Sequence, residues 1–330
     1  MKLSKIVKKS QEQLFSILTS NFGKKAIAKE GSYILVKGAA PILLVAHLDT
    51  VHKEGVREVC IDVEHRVMMS PQGIGGDDRC GVYGLLKVYN ESPVYPWLLF
   101  TCDEEVGCIG ARDFTRDYVN GLLPECSGLS QVKFIVEIDR QGEKDAVYYD
   151  CANEDFEDFV TSYGFVTTPG LYSDISEIAP TLGIAAVNLS SGYYKANTTS
   201  EYIMLDHLEW TIERVKEMVI ASCRKEVGHF EYIDSMDRCF GYGSWDLGGS
   251  TLQSRQYNLL TEDQQIMYEE LVETIGEYDA YLLLKEDGAA GIEDGYMTYV
   301  DDMQIKSEID ELQLKENVNY FDDWAEYPTF

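Results

Sequence analysis

The chain has 330 residues, enough for one large domain or two ordinary ones, and its 45% apolar content can fill a substantial core. A formal net charge of −29 argues against nucleic acid or an anionic membrane as partner, since both select clustered lysine and arginine. No apolar run is long enough to cross a bilayer or to follow the N-terminal lysines as a signal peptide would, and the eight scattered cysteines include no CxxC pair, so we expect a cytoplasmic protein with reduced thiols.

In chain order, residues 3–21 predict an amphipathic helix with Leu3, Ile6, Val7, Leu14, Ile17 and Leu18 on its apolar face. Residues 32–37 and 41–46, split by Gly38, predict adjacent strands, and 56–69 alternates in part, as a hairpin about Glu64-His65 would. After the glycine-rich Gly73-Ile74-Gly75-Gly76, residues 78–90 have helical spacing through Val82, Leu85, Leu86 and Val88. A strand over 97–102, a helix over 110–120 and a strand over 132–139 follow. Residues 146–150 predict a short strand, and 153–163 a helix with acidic residues in its first turn, where the dipole favours them. A capped helix start lies at 173–177, with Glu177 three residues after Asp174. Then come a strand over 184–189 and a long helix over 200–225 through Tyr202, Leu205, Leu208, Ile212, Val215 and Val219. Alternating strands and helices imply a layered α/β domain. Composition shifts near residue 228: 229–254 is rich in glycine and aromatics, 262–285 regains helical spacing, and 301–330 holds nine acidic and two basic residues. We therefore divide the chain into a catalytic-type domain, 1–228, and an acidic, aromatic-rich appendage, 229–330.

The chemistry-bearing residues stand just beyond the apolar runs. His47 and Asp49 follow 41–46, Asp77 and Asp78 open the helix at 78–90, Asp103, Glu104 and Glu105 follow the strand at 97–102, and Asp139 ends 132–139. In α/β sheets, ligands collect beyond the carboxyl ends of strands. Hard oxygen donors with one imidazole are what a pair of divalent ions needs. Each group also has a plainer reading by itself. His47 could be a satisfied core histidine, Asp77 and Asp78 a helix cap, Asp103-Glu104-Glu105 a solvated turn, and Asp139 a strand-end turn residue. Four such groups in succession favour the metal. Cys102 and Cys108 flank the acids, but thiolates are soft and we read them as structural. Tyr193-Tyr194 either packs or lines a pocket.

The motifs His47-Leu48-Asp49, Asp77-Asp78-Arg79-Cys80-Gly81, Asp103-Glu104-Glu105-Val106-Gly107 and Glu137-Ile138-Asp139 resemble those of the co-catalytic di-zinc peptidase superfamily. That group includes the aminoacylases and carboxypeptidases, tripeptidase T, and the glutamyl and leucyl aminopeptidases; the resemblance spans roughly residues 30 to 225. It implies a three-layer αβα fold with a mixed, mostly parallel central sheet. It also implies two Zn²⁺ per chain, with Co²⁺ or Mn²⁺ as alternatives. His47 and Asp139 would hold one ion, Glu105 the other, and Asp77 would bridge them. Asp49 would fix the ring of His47, and Glu104 would be the general base.

One position departs from the pattern. The family closes its ligand set with the His of a His-Ser/Thr-x-x-Glu motif; here Thr198 and Glu201 are in place but Asn197 stands where the His belongs. An amide oxygen is a poorer zinc ligand than imidazole. The intervals 47–77 and 139–197 are too short for the lid or dimerisation domain that many relatives insert. The resemblance implies a metallopeptidase, an aminopeptidase-like exopeptidase that cleaves short peptides with a metal-activated water. Asn197 motivates a reading of another class: a metal-poor pseudoenzyme that binds a peptide or protein. An N-acyl amino acid deacylase or a carboxypeptidase is a third.

Overall fold

Short apolar runs, too brief for helices, set up a sheet buried on both faces. The computed structural model describes residues 1–170 and 172–234, with scattered positions from 261 to 296. In chain order the elements are α1 (Leu3–Ile6), α2 (Gln11–Phe22), β1 (Ala26–Lys29), β2 (Tyr33–Val36), β3 (Ala40–His47), β4 (Cys60–Asp62), β5 (Val67–Met69), α3 (Gly76–Glu91), β6 (Pro96–Thr101), α4 (Ile109–Val119), β7 (Ile135–Arg140), β8 (Asp145–Val147), α5 (Glu154–Thr161), β9 (Val166–Thr167), α6 (Asp174–Leu182), β10 (Ala186–Ser190), β11 (Tyr193–Tyr194), β12 (Tyr202–Met204) and α7 (Leu205–Ser222). The chain divides into two compact units, Met1–Tyr242 and Gly243–Phe330, and all of these elements belong to the first.

The main sheet has eight strands in the order β1-β2-β6-β3-β7-β10-β8-β9. Its centre, β6-β3-β7-β10, is parallel. β2 and β1 extend it antiparallel on one side and β8 on the other, with β9 parallel to β8. This is the mixed, mostly parallel sheet expected. Successive strand residues face opposite sides, and the core divides accordingly. Ile42, Leu44 and Ala46 of β3 pack with α1, α2, α3, α5 and α7. Leu43 and Val45 pack with Ala111 and Phe114 of α4 and Ile175 and Ile178 of α6. Both faces are covered, which is why these strands read as continuous apolar runs rather than alternating ones.

A smaller sheet, β11-β12-β5-β4, contains the hairpin expected over 56–69. Three expectations need correction, and one strand was not foreseen. The single helix over 3–21 is two, because Ser10 caps α2: its Oγ accepts the Gln13 N–H at 3.3 Å and the Gln13 side chain accepts the Ser10 N–H at 3.4 Å. The helix over 200–225 starts only at Leu205. Tyr202–Met204 is a strand, because it pairs with both β5 and β11. Ser173, not Asp174, caps α6, with the Ser173 N–H on Ser176 Oγ at 3.2 Å; Glu177 reaches Arg112 at 2.8 Å instead. β1, which pairs with β2 in a hairpin, went unread.

The composition shift near 228 does not end the contacts of this unit. Phe230 exchanges backbone hydrogen bonds with Lys133 and Ala185, and its ring packs among Phe134, Phe156 and Phe159. Ile233 O accepts the Ala152 N–H at 2.7 Å. The helical pattern over 262–285 falls largely, and the acidic tail 301–330 wholly, outside the described residues. Among the described residues, no helix is long and apolar enough to cross a membrane.

Candidate metal centre

β3 lies between β6 and β7, parallel to both, so the carboxyl ends of the three strands adjoin. His47 is the last residue of β3, Asp139 is next to last in β7, and Asp103-Glu104-Glu105 leaves the end of β6. The Gly73–Gly76 turn brings in Asp77 and Asp78 at the start of α3, with Gly75 at φ 63°, a conformation that glycine adopts freely. The Asp77–Asp78 peptide bond is cis.

His47 is fully buried. Its Nδ1 lies 3.1 Å from Asp49 Oδ1, and its Nε2 lies 3.0 Å from Asp77 Oδ1 and 3.4 Å from Asp139 Oδ1. Two overlapping sets of possible ligand atoms result, His47-Asp77-Glu105 and His47-Asp78-Asp139, each within 4.8 Å. Ligand–ligand separations of 3.0 to 3.4 Å suit donors that share one ion at about 2.0–2.2 Å. If Nδ1–H donates to Asp49, Nε2 points a lone pair at two carboxylates, which is repulsive unless a cation lies between. Burial would lower the pKa of His47, but Asp139, Asp49 and Asp77 raise it well above the usual imidazole value. Asp139 Oδ1 and Glu105 Oε1 are buried without a hydrogen bond. Buried carboxylate oxygens rarely stay unpaired, and divalent cations are partners that suit them. The donor set therefore fits the metal that the motifs imply.

Asp49 ties the imidazole to the acidic loop. Its Oδ1 and Oδ2 accept the backbone N–H groups of Glu104 and Glu105, each at 3.0 Å. Burial pushes its pKa up, but the His47 bond and these two N–H groups outweigh it and hold Asp49 at about 2. With the loop backbone so fixed, the two glutamates diverge. Glu105 joins the ligand set and is pushed up to about 8, first by burial and then by the charge of Asp77. Glu104 lies off that set, with Cys108 Sγ 3.6 Å from its Oε1; burial, then Asp77 and Asp49, raise its pKa. Cys102 and Cys108 are buried.

The surrounding shell is polar and well connected. Asp78 Oδ1 accepts the Gly81 N–H at 2.7 Å and Oδ2 accepts the His47 N–H at 3.3 Å, so this acid caps α3 and holds the end of β3 together. Arg79 donates to the Leu48 carbonyl, to that of Asp49 at 3.0 Å and to that of Lys9 at 3.0 Å. A Cβ on Gly81 would lie 2.2 Å from the Ile138 carbonyl and 2.3 Å from Asp78 Oδ2. Gly81→Ala should therefore destabilise the fold by about 1–3 kcal/mol; urea unfolding of the variant against the parent measures it.

Asn197 comes beside the centre. It is exposed, at φ 61°, with Nδ2 3.4 Å from Glu105 Oε2. Glu201, the other end of its motif, is fully buried and accepts from Gly75 N at 2.8 Å, Asp77 N at 3.2 Å and His52 Nε2 at 3.1 Å. His52 is a contributor that sequence reasoning missed, and Tyr193, read there only as packing or lining a pocket, reaches the acids themselves. The Tyr193 hydroxyl lies 3.0 Å from Asp77 Oδ2 and 2.7 Å from the Asp139 carbonyl. Its place four residues before Asn197 was the available signal. Behind the site, Ser173 Oγ donates to Glu137 Oε2 at 2.6 Å and Thr101 donates to Asp174, both acids being fully buried.

No family model matches the chain, and no curated protein sequence matches it. Among solved structures it is similar to a tripeptidase from Staphylococcus aureus, with TM-score 0.51 and 14% identity over 67% of this chain and 97% of that one. It is similar to the aminopeptidase PepT from Bacillus cereus (TM-score 0.50, 14% identity, 67% and 97% covered). An aminopeptidase from the archaeon Desulfurococcus kamchatkensis gives TM-score 0.50 at 14% identity, over 66% and 93%. The chain therefore has the α/β fold of these peptidases, a mixed, mostly parallel sheet between helices, which is the fold that its four motifs led us to expect.

Proposed function

We propose that the chain is a metal-dependent exopeptidase that removes amino-terminal residues from short peptides. The observation that carries this reading is the meeting of His47 Nε2 with Asp77 Oδ1 and Asp139 Oδ1, with Asp139 Oδ1 and Glu105 Oε1 both buried and without a hydrogen bond. His47, Asp77 and Asp139 would hold one ion, and Asp77, Glu105 and the amide of Asn197 flank the place of a second. Zn²⁺ suits the donors, with Co²⁺ and Mn²⁺ as alternatives. When bound, such an ion polarises the scissile carbonyl and acidifies water.

The chain's own residues do the rest. Glu104 takes a proton from the attacking water and passes it to the leaving amine. Burial keeps its carboxylate basic enough to do so. Asp49 fixes the tautomer of His47, and Glu201 fixes the loop that carries Asp77. An acid-lined cleft favours the protonated amino terminus of a peptide over its carboxylate, which selects the aminopeptidase reading over a carboxypeptidase. We assign the catalytic role to residues 1–228 and leave 229–330 as an acidic appendage, of which 229–234 packs with the first unit. The net charge of −29 disfavours nucleic-acid and anionic-membrane partners, and the scattered cysteines without a CxxC pair suit a cytoplasmic place.

The test is a panel of dipeptides, tripeptides, aminoacyl anilides and N-acyl amino acids, with Zn²⁺, Co²⁺ or Mn²⁺ added. Free-amino substrates should be cleaved, chelation should abolish cleavage, and N-acetylated peptides should be inert. Cleavage of the N-acyl compounds instead would assign a deacylase, and release of carboxy-terminal residues a carboxypeptidase. Asn197 favours a second reading, a peptide- or protein-binding module without turnover. Asn197→His separates the two: it should create activity in a silent module and add little to a working enzyme.

A further inference from the structure

We propose that Tyr193 restricts this centre to one tightly held ion, the one on His47, Asp77 and Asp139. The inference rests on the metal-centre reading above and concerns which of its two positions fills.

Tyr193 belongs to β11, in the smaller sheet, yet its side chain reaches the acids of the main one. It is 4% exposed. A Cβ on Gly76 would lie 2.6 Å from Tyr193 Cβ, so the residue packs directly on the backbone beside Asp77. The phenol therefore has little freedom to leave. Its oxygen is 3.0 Å from Asp77 Oδ2 and 2.7 Å from the Asp139 carbonyl. A phenol carries one proton, and an ionised carboxylate is the stronger acceptor.

A carboxylate that bridges two ions gives one oxygen to each. Asp77 already turns Oδ1 to His47 Nε2, whereas Oδ2 is turned to Tyr193. An ion at the second position must compete with that hydrogen bond. It would also meet an amide at Asn197, which already lies 3.4 Å from Glu105 Oε2, where the first position has an imidazole. Amide oxygen is a weak zinc donor. The first position suffers neither loss: Asp49 orients His47, and Asp77 Oδ1 faces that imidazole rather than a competing hydroxyl, while each position has one acid oxygen with no hydrogen bond, on Asp139 and on Glu105. Tyr193 acts through Asp77 and is a positioning residue.

The experiment titrates Zn²⁺ into the metal-stripped full chain and counts bound ions by native mass spectrometry and elemental analysis. Co²⁺ absorption reports the ligand field. The parent should take up one ion per chain, with Co²⁺ bands saturating at one equivalent. Tyr193→Phe, which keeps the ring, should tighten the second ion by about tenfold, the equivalent of one hydrogen bond, while the first stays close to the parent value. Combined with Asn197→His, it should give two ions per chain and a second set of Co²⁺ bands. A merely structural role for Tyr193 would weaken both positions together. Two ions of similar affinity in the parent overturn the proposal and leave the metal reading intact. So does a Tyr193→Phe chain with unchanged second-ion affinity. A parent that binds no ion overturns the metal reading itself.

Discussion

Glu104→Gln should lower kcat by about 10²- to 10⁴-fold, the range that one general acid–base group supplies, while KM and bound metal stay near the parent values. Glutamine keeps the shape of glutamate but cannot accept the proton of water. The geometry separates this residue from the candidate ligands: Glu105 belongs to the cluster with His47 and Asp77, and Glu104 faces Cys108 Sγ at 3.6 Å. The backbone bonds from Glu104 and Glu105 to Asp49 involve no side chain of either glutamate, so the loop should hold its course in the variant. Glu105→Gln is the informative contrast. It alters a ligand candidate, so its loss of activity should come with lost or weakened metal. Steady-state kinetics and elemental analysis of both variants check the pair. If Glu104→Gln turns over peptides as fast as the parent, Glu104 is not the base.

The parts of this site that were legible in the sequence are those carried by strand ends. β3, β6 and β7 are buried on both faces and read as apolar runs, so the acids beyond them stood out. Side chains from motifs 30 to 90 residues apart could be grouped because parallel neighbours in an α/β sheet bring their carboxyl ends together. What stayed hidden depends on partners far along the chain. Tyr202–Met204 has helical spacing with the residues after it, and its pairing with β5 and β11 makes it a strand. That pairing builds the smaller sheet, and the smaller sheet brings Tyr193 to Asp77. Likewise His52 has no motif of its own; Glu201, brought in from the far end of the unit, gives it a partner. The break between α1 and α2 was readable, because Ser10-x-x-Gln13 is a capping box, but continuous apolar spacing hid it. Contact between 229–234 and the segments that lead into β7 and β10 could not be read from a change in composition.

The metal-stripped chain should melt at a temperature higher by on the order of 5 °C at pH 5.5 than at pH 8, where about 1 kcal/mol corresponds to 2–4 °C for a domain of this size. The buried acids dictate the sign. Burial, then the charge of Asp77, raises Glu105 from an ordinary 4.5 to about 8. Burial, then Glu104, raises Asp174 from 3.8 to about 7. A folded pKa above the unfolded one contributes stability that is fully present below the unfolded value and is lost as pH climbs through the folded value. For Glu105 the loss runs from about 4.5 to about 8, and for Asp174 from about 3.8 to about 7. His47, raised well above 6.5 by its carboxylate neighbours against its burial, pushes the same way. Asp49, lowered from 3.8 to about 2, acts oppositely but only below pH 4, outside this window. Zn²⁺ at about 100 times its Kd adds about 2.7 kcal/mol; because it replaces protons in the cluster, the gain should be larger at pH 8 and should flatten the profile. Differential scanning calorimetry with and without metal measures both slopes, and a metal-free melting temperature that rises from pH 5.5 to 8 is the opposite of what this arrangement of charges allows. Asp174→Asn isolates one contributor. Asp174 lies in neither set of possible ligand atoms and leaves Oδ1 without a hydrogen bond, so the substitution should reduce the pH slope of the metal-free chain while metal uptake remains that of the parent.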